Sequence, residues 1–427
     1  MKIRFTFILF SISLFSATGQ TNFLNNPKIV TQILEAINAN KTASTFTPAE
    51  SIGADAIWAK GYEGAGLYAG MWEAGGNVNV DPNNNDLQTA GFSPSRVSVI
   101  EGLSNSSHAL GVAQVLSGDG FSGANKGIAP QSNILSYSLD NNDNSNNHLL
   151  EIAAVAYYPN STGNRILVSN NSFAADAGWN ANGSNYWHGV FQINEREDHK
   201  FGRYSGEEYL WDNLYDQTVL NNPFLSIVKS AGNDRGQSGV TSVGVPYTQW
   251  NYNIGTDTWS RINATLADPD KPDDDGGSDE FDCIPNGAIG KNIITVGACE
   301  NLMAEYTNKS QIIVQPVSAF GPTDDGRIKP DLVAPSGNNT SNAAPVVSGS
   351  VLLVQEMYKA QLSNTEFMKA ATVKALLCHT AFEAENDGPD YKTGWGMVNV
   401  EAAGQLIEDE ETNTAEYIRE ETLANGS

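Results

Sequence analysis

The chain has 427 residues, of which 49 are acidic and 24 are basic, so its formal net charge at neutral pH is −25. That charge argues against nucleic acids and anionic lipid surfaces as partners. The length allows two or three average domains or one large α/β enzyme domain. Three cysteines cannot build a disulfide framework, and we expect them to be small buried residues.

The first 19 residues have the pattern of a signal peptide. Lys2 and Arg4 precede an apolar run at 5–15, and small residues follow at 17–19. The apolar run is shorter than the roughly 20 residues that cross a bilayer, and nothing later in the sequence supplies such a span. We therefore expect a secreted or periplasmic protein that is not inserted in a membrane.

The folded part of the chain is expected to begin at a helix. Thr47 and Glu50 form a capping box, Pro48 takes the first helical position and Gly61 ends the helix. The abrupt end of the chain suggests that a further domain begins in the tail. The expected segments are a signal peptide, a lead segment, one large folded domain and a C-terminal tail: 1–19, 20–46, 47–407 and 408–427.

Strand-like apolar runs then alternate with stretches of helical periodicity. The runs are at 66–72, 133–139, 165–172, 224–232 and 292–298. The helical stretches are at 108–117, 148–158, 207–221 and 363–380, the last with a capping box from Ser363 to Glu366. Such alternation predicts an α/β fold of three layers, a doubly wound, mostly parallel sheet with helices on both faces. Its active site should lie at the carboxyl ends of the strands.

The most acidic stretch of the chain is at 268–282. Calcium binds oxygen ligands, but the acidic residues here have no regular ligand spacing, so we expect a solvated loop, with a structural calcium site as the alternative. The sequence contains no His-x-x-x-His or Cys-x-x-Cys pair and no glycine-rich phosphate loop. It therefore predicts no catalytic metal and no cofactor.

The sequence NNTSNAAPVVSGSVLLVQ, residues 338–355, places a Thr-Ser pair directly before an apolar run. If a helix begins at Thr340 and Ser341, the Ser341 hydroxyl lies beside unpaired N–H groups at the positive end of the helix dipole. That environment favours an oxyanion that develops nearby. An ordinary N-cap serine is the alternative.

A serine hydroxyl needs a base before it can act as a nucleophile, and His108 is the candidate because it lies in the first turn of the helix at 108–117. Asn233 ends the sequence SAGN after the strand at 224–232, where its amide could donate to an oxyanion. Taken singly, these two residues are better explained as a structural histidine and a turn asparagine.

In their order and flanking sequences, these segments resemble the motifs of the subtilisin-like serine proteases (peptidase S8). That family has an acid after its first core strand, a histidine in a segment like HGTHVAG, an oxyanion asparagine in SAGN and a nucleophile in GTSMAAPHVAG. This chain has, in the same order, GAGLYAGMWEAGG, SSHALGVAQVLSG, KSAGND, GRIKPDLVAP and NTSNAAPVVSG. The similarity extends over residues 50–405, and its order of acid, His and Ser is that of subtilisin.

The resemblance implies a role for each matching residue. Ser341 would attack a peptide carbonyl, His108 would transfer the proton and Glu73 would orient the ring. Asn233 and the backbone N–H of Ser341 would bind the oxyanion. The substrate implied is an extended polypeptide that pairs with the end of the strand at 165–172. The residues expected to bind it are Ser172, Phe173, Ala174, Ala231 and Gly232.

Glu73 departs from the family pattern, which has aspartate there. The extra methylene moves the carboxylate by roughly one bond length, and a misplacement of about 1 Å can cost about a hundredfold in rate. On this reasoning, Glu73→Asp leaves the activity unchanged or raises it. Asp81, in the asparagine-rich loop after the strand, is the alternative acid.

The segment before the candidate nucleophile also departs from the family. Asn339 replaces the glycine before Thr-Ser, and only residues 336–339 separate DLVAP from Thr340, where relatives carry a longer loop that borders the cleft. Two functions therefore stand: an exported serine endopeptidase with a Ser-His-Glu triad, or a catalytically inactive relative that binds polypeptides or has a structural task. The sequence does not indicate which oligomeric state the protein has.

Overall fold

A computed structural model describes most of the chain after residue 45, and Thr47–Ser427 forms one compact unit. The described residues are 46–89, 92–123, 125–139, 145–159, 161–174, 179, 186–192, 211–237, 239, 244–253, 258–265, 280–362, 366–412 and 417–421. The predicted signal peptide, almost all of the lead segment and most of the acidic stretch lie outside these residues.

Strands and helices alternate along the described residues. The strands are β1 Tyr68–Ala74, β2 Val78–Asn79, β3 Gln88–Thr89, β4 Phe92–Ser95, β5 Val97–Val99, β6 Ser104–Asn105, β7 Asn133–Leu139, β8 Val168–Asn171, β9 Tyr186–Gln192, β10 Ser226–Ser230, β11 Pro246–Asn253, β12 Thr258–Thr265, β13 Ile294–Cys299 and β14 Leu332–Pro335. The helices are α1 Pro48–Ser51, α2 Ala54–Ala59, α3 Ser107–Ser117, α4 Ser145–Val155, α5 Trp211–Asn221, α6 Thr340–Gln361, α7 Ala370–His379 and α8 Val400–Thr412, with single 3₁₀ turns at Asn85–Leu87 and Lys309–Gln311.

Seven strands form one parallel sheet in the order β14-β13-β10-β8-β1-β7-β5. The five strands expected from the sequence are its five central ones. Neighbouring residues of one strand pack into different cores: Val228 joins the cluster that includes α6 and α7, and Ile227 joins the cluster that includes α4 and α5. Helices therefore cover both faces of the sheet, and the predicted doubly wound α/β fold is confirmed.

A second, three-stranded sheet of β9, β11 and β12 was not predicted. Its strands β11 and β12 pair antiparallel, and β9 lies parallel to β11. The sequence of β11, PYTQWNYN, mixes polar and aromatic residues. It lacks the apolar run from which the central strands were predicted. Trp179, Trp187 and Tyr247 form the core of this sheet.

Two of the predicted helices differ from the structure at their ends. The capping box of Thr47 and Glu50 is present, but the first helix is divided into α1 and α2 by Gly53, which has a left-handed φ of 74°. The predicted start of α7 at Ser363 and Glu366 is wrong, although Ser363 itself lies outside the described residues. The helix begins at Ala370 because the Gln355 side chain binds the backbone N–H and C=O of Met368, at 2.8 and 2.9 Å, and holds that segment outside the helix.

Helix α6 is the central helix of the molecule. It is buried along most of its length and packs against α3, α8 and the strands β10 and β13. None of the helices in the described part of the chain is both long and apolar enough to cross a membrane. All three cysteines are free; Cys283 and Cys299 are buried, as expected, and Cys378 is partly exposed.

Candidate active site

The carboxylate of Glu73 contacts the ring of His108. Glu73 is the next-to-last residue of β1 and is buried, whereas the His108 side chain, in the first turn of α3, is 44% exposed. Glu73 Oε1 lies 2.6 Å from His108 Nδ1. This contact favours the tautomer in which Nδ1 donates to the carboxylate, so that Nε2 is left to accept a proton.

The same contact affects the pKa of the His108 ring. The hydrogen bond that His108 donates to Glu73 raises the pKa of His108 above its usual 6.5; burial lowers the pKa, and the negative charge of Glu73 raises it further. The neighbouring carboxylate thus makes His108 a stronger base than a free histidine.

Asp81, the alternative acid, has a local role. Its Oδ1 accepts a hydrogen bond of 2.9 Å from the backbone N–H of Asn83, as in an aspartate turn. Among the described residues, Glu73 is therefore the acid that contacts His108.

Ser341 is the second residue of α6, and its side chain is not the N-cap. Asn339 is the cap, and its side chain accepts a hydrogen bond of 2.9 Å from the N–H of Asn342. The alternative reading of Ser341 as an N-cap is therefore wrong. Ser341 is 8% exposed, and no hydrogen bond holds its hydroxyl among the described residues. The hydroxyl thus lies unengaged in the first turn of the helix.

Asn233 is oriented by the start of the same helix. Its Oδ1 accepts hydrogen bonds from the Thr340 backbone N–H, at 2.8 Å, and from the Thr340 hydroxyl, at 2.9 Å. Because the carbonyl end of the amide is occupied, the Nδ2 group faces away from Thr340 as a donor. The turn before it requires glycine: Gly232 has a φ of 110°, and an added Cβ would lie 2.9 Å from Pro285.

The candidate substrate segment follows β8. Ser172 is buried, accepts a hydrogen bond of 3.0 Å from Asn170 and donates one of 2.7 Å to the backbone carbonyl of Ser341. Phe173 and Ala174 are half-buried. After β10, Ala231 is buried, and its N–H donates a hydrogen bond to the backbone carbonyl of Val296 in β13.

These groups lie at one end of the sheet. Trp72 of β1 is paired with Asn171 of β8, so Glu73 and Ser172 occupy neighbouring positions at the carboxyl ends of adjacent strands. Ser172 in turn contacts Ser341. The described residues include no hydrogen bond between the His108 ring and the Ser341 hydroxyl, so that contact stays a prediction.

Metal binding has no support in the described part of the chain. No group of three or more His, Cys, Asp or Glu side chains there could hold a metal ion. The acidic residues 268–279 lie outside that part, and the calcium alternative stays a prediction.

A parallel α/β sheet with a histidine, a carboxylate and a helix-borne serine at its carboxyl edge is the arrangement of a serine hydrolase. The sequence matches the profile of the subtilase family (peptidase S8) over residues 80–396. The protein therefore belongs to the subtilase family. The matched segment contains His108, Asn233 and Ser341, and Glu73 precedes it.

A solved structure of a protease shares the fold. The CspB protease of Clostridium perfringens is similar with a TM-score of 0.56 and 15% identity, over 84% of this chain and 98% of that chain. The prenylagaramide maturation protease PagA has a TM-score of 0.49 and 16% identity, over 83% of this chain and 98% of that chain. No curated protein sequence matches this chain.

Proposed function

We propose that this subtilase is an exported serine endopeptidase with a Ser-His-Glu triad. The observation that carries the proposal is the 2.6 Å contact between Glu73 and His108, because it supplies an oriented base despite the unusual acid. The apolar N-terminal run, preceded by Lys2 and Arg4, supports export. The substrate expected from the family is a polypeptide.

In the proposed reaction, His108 Nε2 takes the proton of the Ser341 hydroxyl as Oγ attacks the peptide carbonyl carbon. Glu73 stabilises the imidazolium that results. The negative charge that develops on the carbonyl oxygen is bound by Asn233 Nδ2 and the backbone N–H of Ser341. His108 then donates its proton to the leaving amine, and water hydrolyses the acyl-enzyme by the same steps in reverse.

The orientation of Asn233 supports its part in this scheme. Thr340 occupies the amide oxygen of Asn233, so rotation of the amide by 180° would bring its NH₂ group against the Thr340 N–H. The donor is thereby preorganised, which is the condition for strong stabilisation of a transition-state charge.

A fluorophosphonate probe tests the proposal, since it reacts only with an activated serine hydroxyl. We expect covalent labelling of the mature protein at Ser341, found by peptide mass mapping, and its loss in Ser341→Ala and His108→Ala. A folded protein that stays unlabelled, while a known subtilase is labelled beside it, would favour the catalytically inactive, polypeptide-binding alternative.

A further inference from the structure

A fully buried lysine lies beneath the candidate substrate segment. Lys229 is 1% exposed in β10, four residues before Asn233, and the proposed reaction gives it no part. A buried ammonium group is costly, because its charge must be compensated by the protein rather than by water. The contacts of Lys229 show which groups its ammonium group binds.

The Lys229 ammonium group is bound to Phe173. Its Nζ donates a hydrogen bond to the Phe173 backbone carbonyl and lies 3.8 Å from the centroid of the Phe173 ring. The Ser230 hydroxyl donates a second, longer bond of 3.4 Å to the same carbonyl. Lys229 is paired in register with Asn171, so it connects the two strands whose ends carry the candidate substrate and oxyanion residues.

The surroundings of Lys229 are polar but not strongly acidic. Burial lowers the pKa of Lys229 to about 7, and the negative charge of Asp212 opposes this effect. The Asp212 carboxylate accepts the backbone N–H groups of Gly287 and Ile289. His148, nearby, is neutral because burial and the charge of Lys229 lower its pKa to about 3. The Phe173 carbonyl is thus a principal polar contact of the ammonium group.

We propose that Lys229 is a positioning residue for substrate binding. By holding the Phe173 carbonyl toward the interior, it leaves the backbone groups of Ser172 and Ala174 directed at the cleft, since successive carbonyls of an extended segment point in opposite directions. An extended substrate then pairs with those groups. This inference rests on the proposed function and names the residue that orders its substrate-binding segment.

The test compares substrates that do and do not need this pairing. Lys229→Met keeps the length of the side chain and removes the donor and its charge. For a peptide substrate of at least four residues before the scissile bond, we expect KM to rise about tenfold, the effect of one lost hydrogen bond, with kcat within about twofold. For a single-residue ester, and for labelling by the fluorophosphonate probe, we expect no change. A general disturbance of the site would affect all three.

The second variant is Ser230→Ala, a small change that removes only the longer bond to the Phe173 carbonyl. We expect it to raise the peptide KM about twofold and to leave ester hydrolysis unchanged. It decides the outcome if Lys229→Met does not fold. An unchanged peptide KM in the folded, labelled variants overturns the role of Lys229. An unlabelled wild-type protein instead overturns the proposed function.

Discussion

The Glu73 side chain already reaches His108, and this changes what a shorter acid should do. With Oε1 at 2.6 Å from Nδ1, the backbone of β1 is spaced for glutamate. Glu73→Asp would withdraw the carboxylate by about 1.5 Å, the length of one carbon–carbon bond. We therefore expect kcat/KM to fall about ten- to a hundredfold, measured with a peptide substrate. The expectation of unchanged or raised activity, which the family pattern suggested, is thereby reversed.

Glu73→Gln is the matched variant, because it keeps the length and removes the charge. It should lower kcat by about 10⁴, the effect of a neutral amide at the corresponding position of a serine protease triad. Equal activity of the wild type, Glu73→Asp and Glu73→Gln would show that the carboxylate has no part in the reaction.

The pH dependence of activity follows from the same contact. His108 must be neutral to accept a proton, and Glu73 raises its pKa above 6.5. The activity should therefore increase with pH through a midpoint above 6.5 in a profile of log kcat/KM between pH 5 and 9. In Glu73→Gln the cause of the raised pKa is removed, so the midpoint of the residual activity should move to lower pH.

Asp81→Asn is the control for the pH profile, because Asp81 binds the backbone of its own loop rather than the ring. Its midpoint should match that of the wild type. A shift with Asp81→Asn and none with Glu73→Gln would exchange the roles of the two acids.

At the level of elements, the start of α6 sets the direction of the Asn233 amide. Thr340 is fully buried, donates twice to Asn233 Oδ1 and accepts the N–H of Gly232 at 3.2 Å. Thr340→Val keeps the shape and removes the hydroxyl. We expect kcat to fall about tenfold with KM little changed, because the amide is less well oriented where charge develops.

Two variants bracket this prediction. Thr340→Ser restores the hydroxyl and should recover most of the activity, whereas Asn233→Ala should lose about 10²- to 10³-fold in kcat, the range measured in subtilisin, another member of the family. If Thr340→Val lowers stability but leaves kcat unchanged, Thr340 is only a packing residue.

The strands and helices that could be predicted from the sequence are those whose own residues form a recognisable hydrophobic pattern. The five central strands are buried on both faces, and apolar residues lie within them or directly before them in the sequence. The edge strands β5 and β14, of three and four residues, are too short for such a signal. The start of α7 was mispredicted because its cause, the contact of Gln355 with Met368, is a tertiary one.

The residues of the candidate site also fall into those that a local sequence pattern identifies and those that only tertiary contacts identify. Glu73, His108, Asn233 and Ser341 could be named because each lies in a recognisable local motif. The residues that orient them are revealed by contacts between distant segments: Thr340 and Asn233 are 107 positions apart, and Lys229 and Phe173 are 56 apart. No local pattern marks such pairs.

At the scale of the whole molecule, the proposed reaction requires the helix with His108 and the helix with Ser341 to keep a fixed separation. Gly349 of α6 permits close contact with the segment that follows α3, since a Cβ there would lie 2.5 Å from Ile128 Cβ. Ile128 is held to the end of α3 by a hydrogen bond of 3.0 Å to the Val115 carbonyl. Gly349 is therefore a point at which α6 lies directly against the segment that follows α3.

Gly349→Ala tests this contact against helix propensity. Alanine in a helix interior is favoured over glycine by about 1 kcal/mol, whereas an overpacked core costs about 1–3 kcal/mol. Ile128 Cβ is fixed by the backbone and cannot rotate away, so the clash should prevail. We expect Gly349→Ala to lower the unfolding midpoint in urea and, by moving α6 from α3, to slow labelling of Ser341 by the fluorophosphonate probe.

Gly111→Ala is the matched control on the partner helix. Gly111 lies inside α3, and an added Cβ there meets no atom within 4 Å. Only propensity acts at that position, so the same substitution should raise stability by about 0.5–1 kcal/mol and leave labelling unchanged. The same substitution, glycine to alanine, is thus expected to lower stability at Gly349 and to raise it at Gly111. A stabilised Gly349→Ala would mean that α3 and α6 separate freely and that their packing does not set the distance between base and nucleophile.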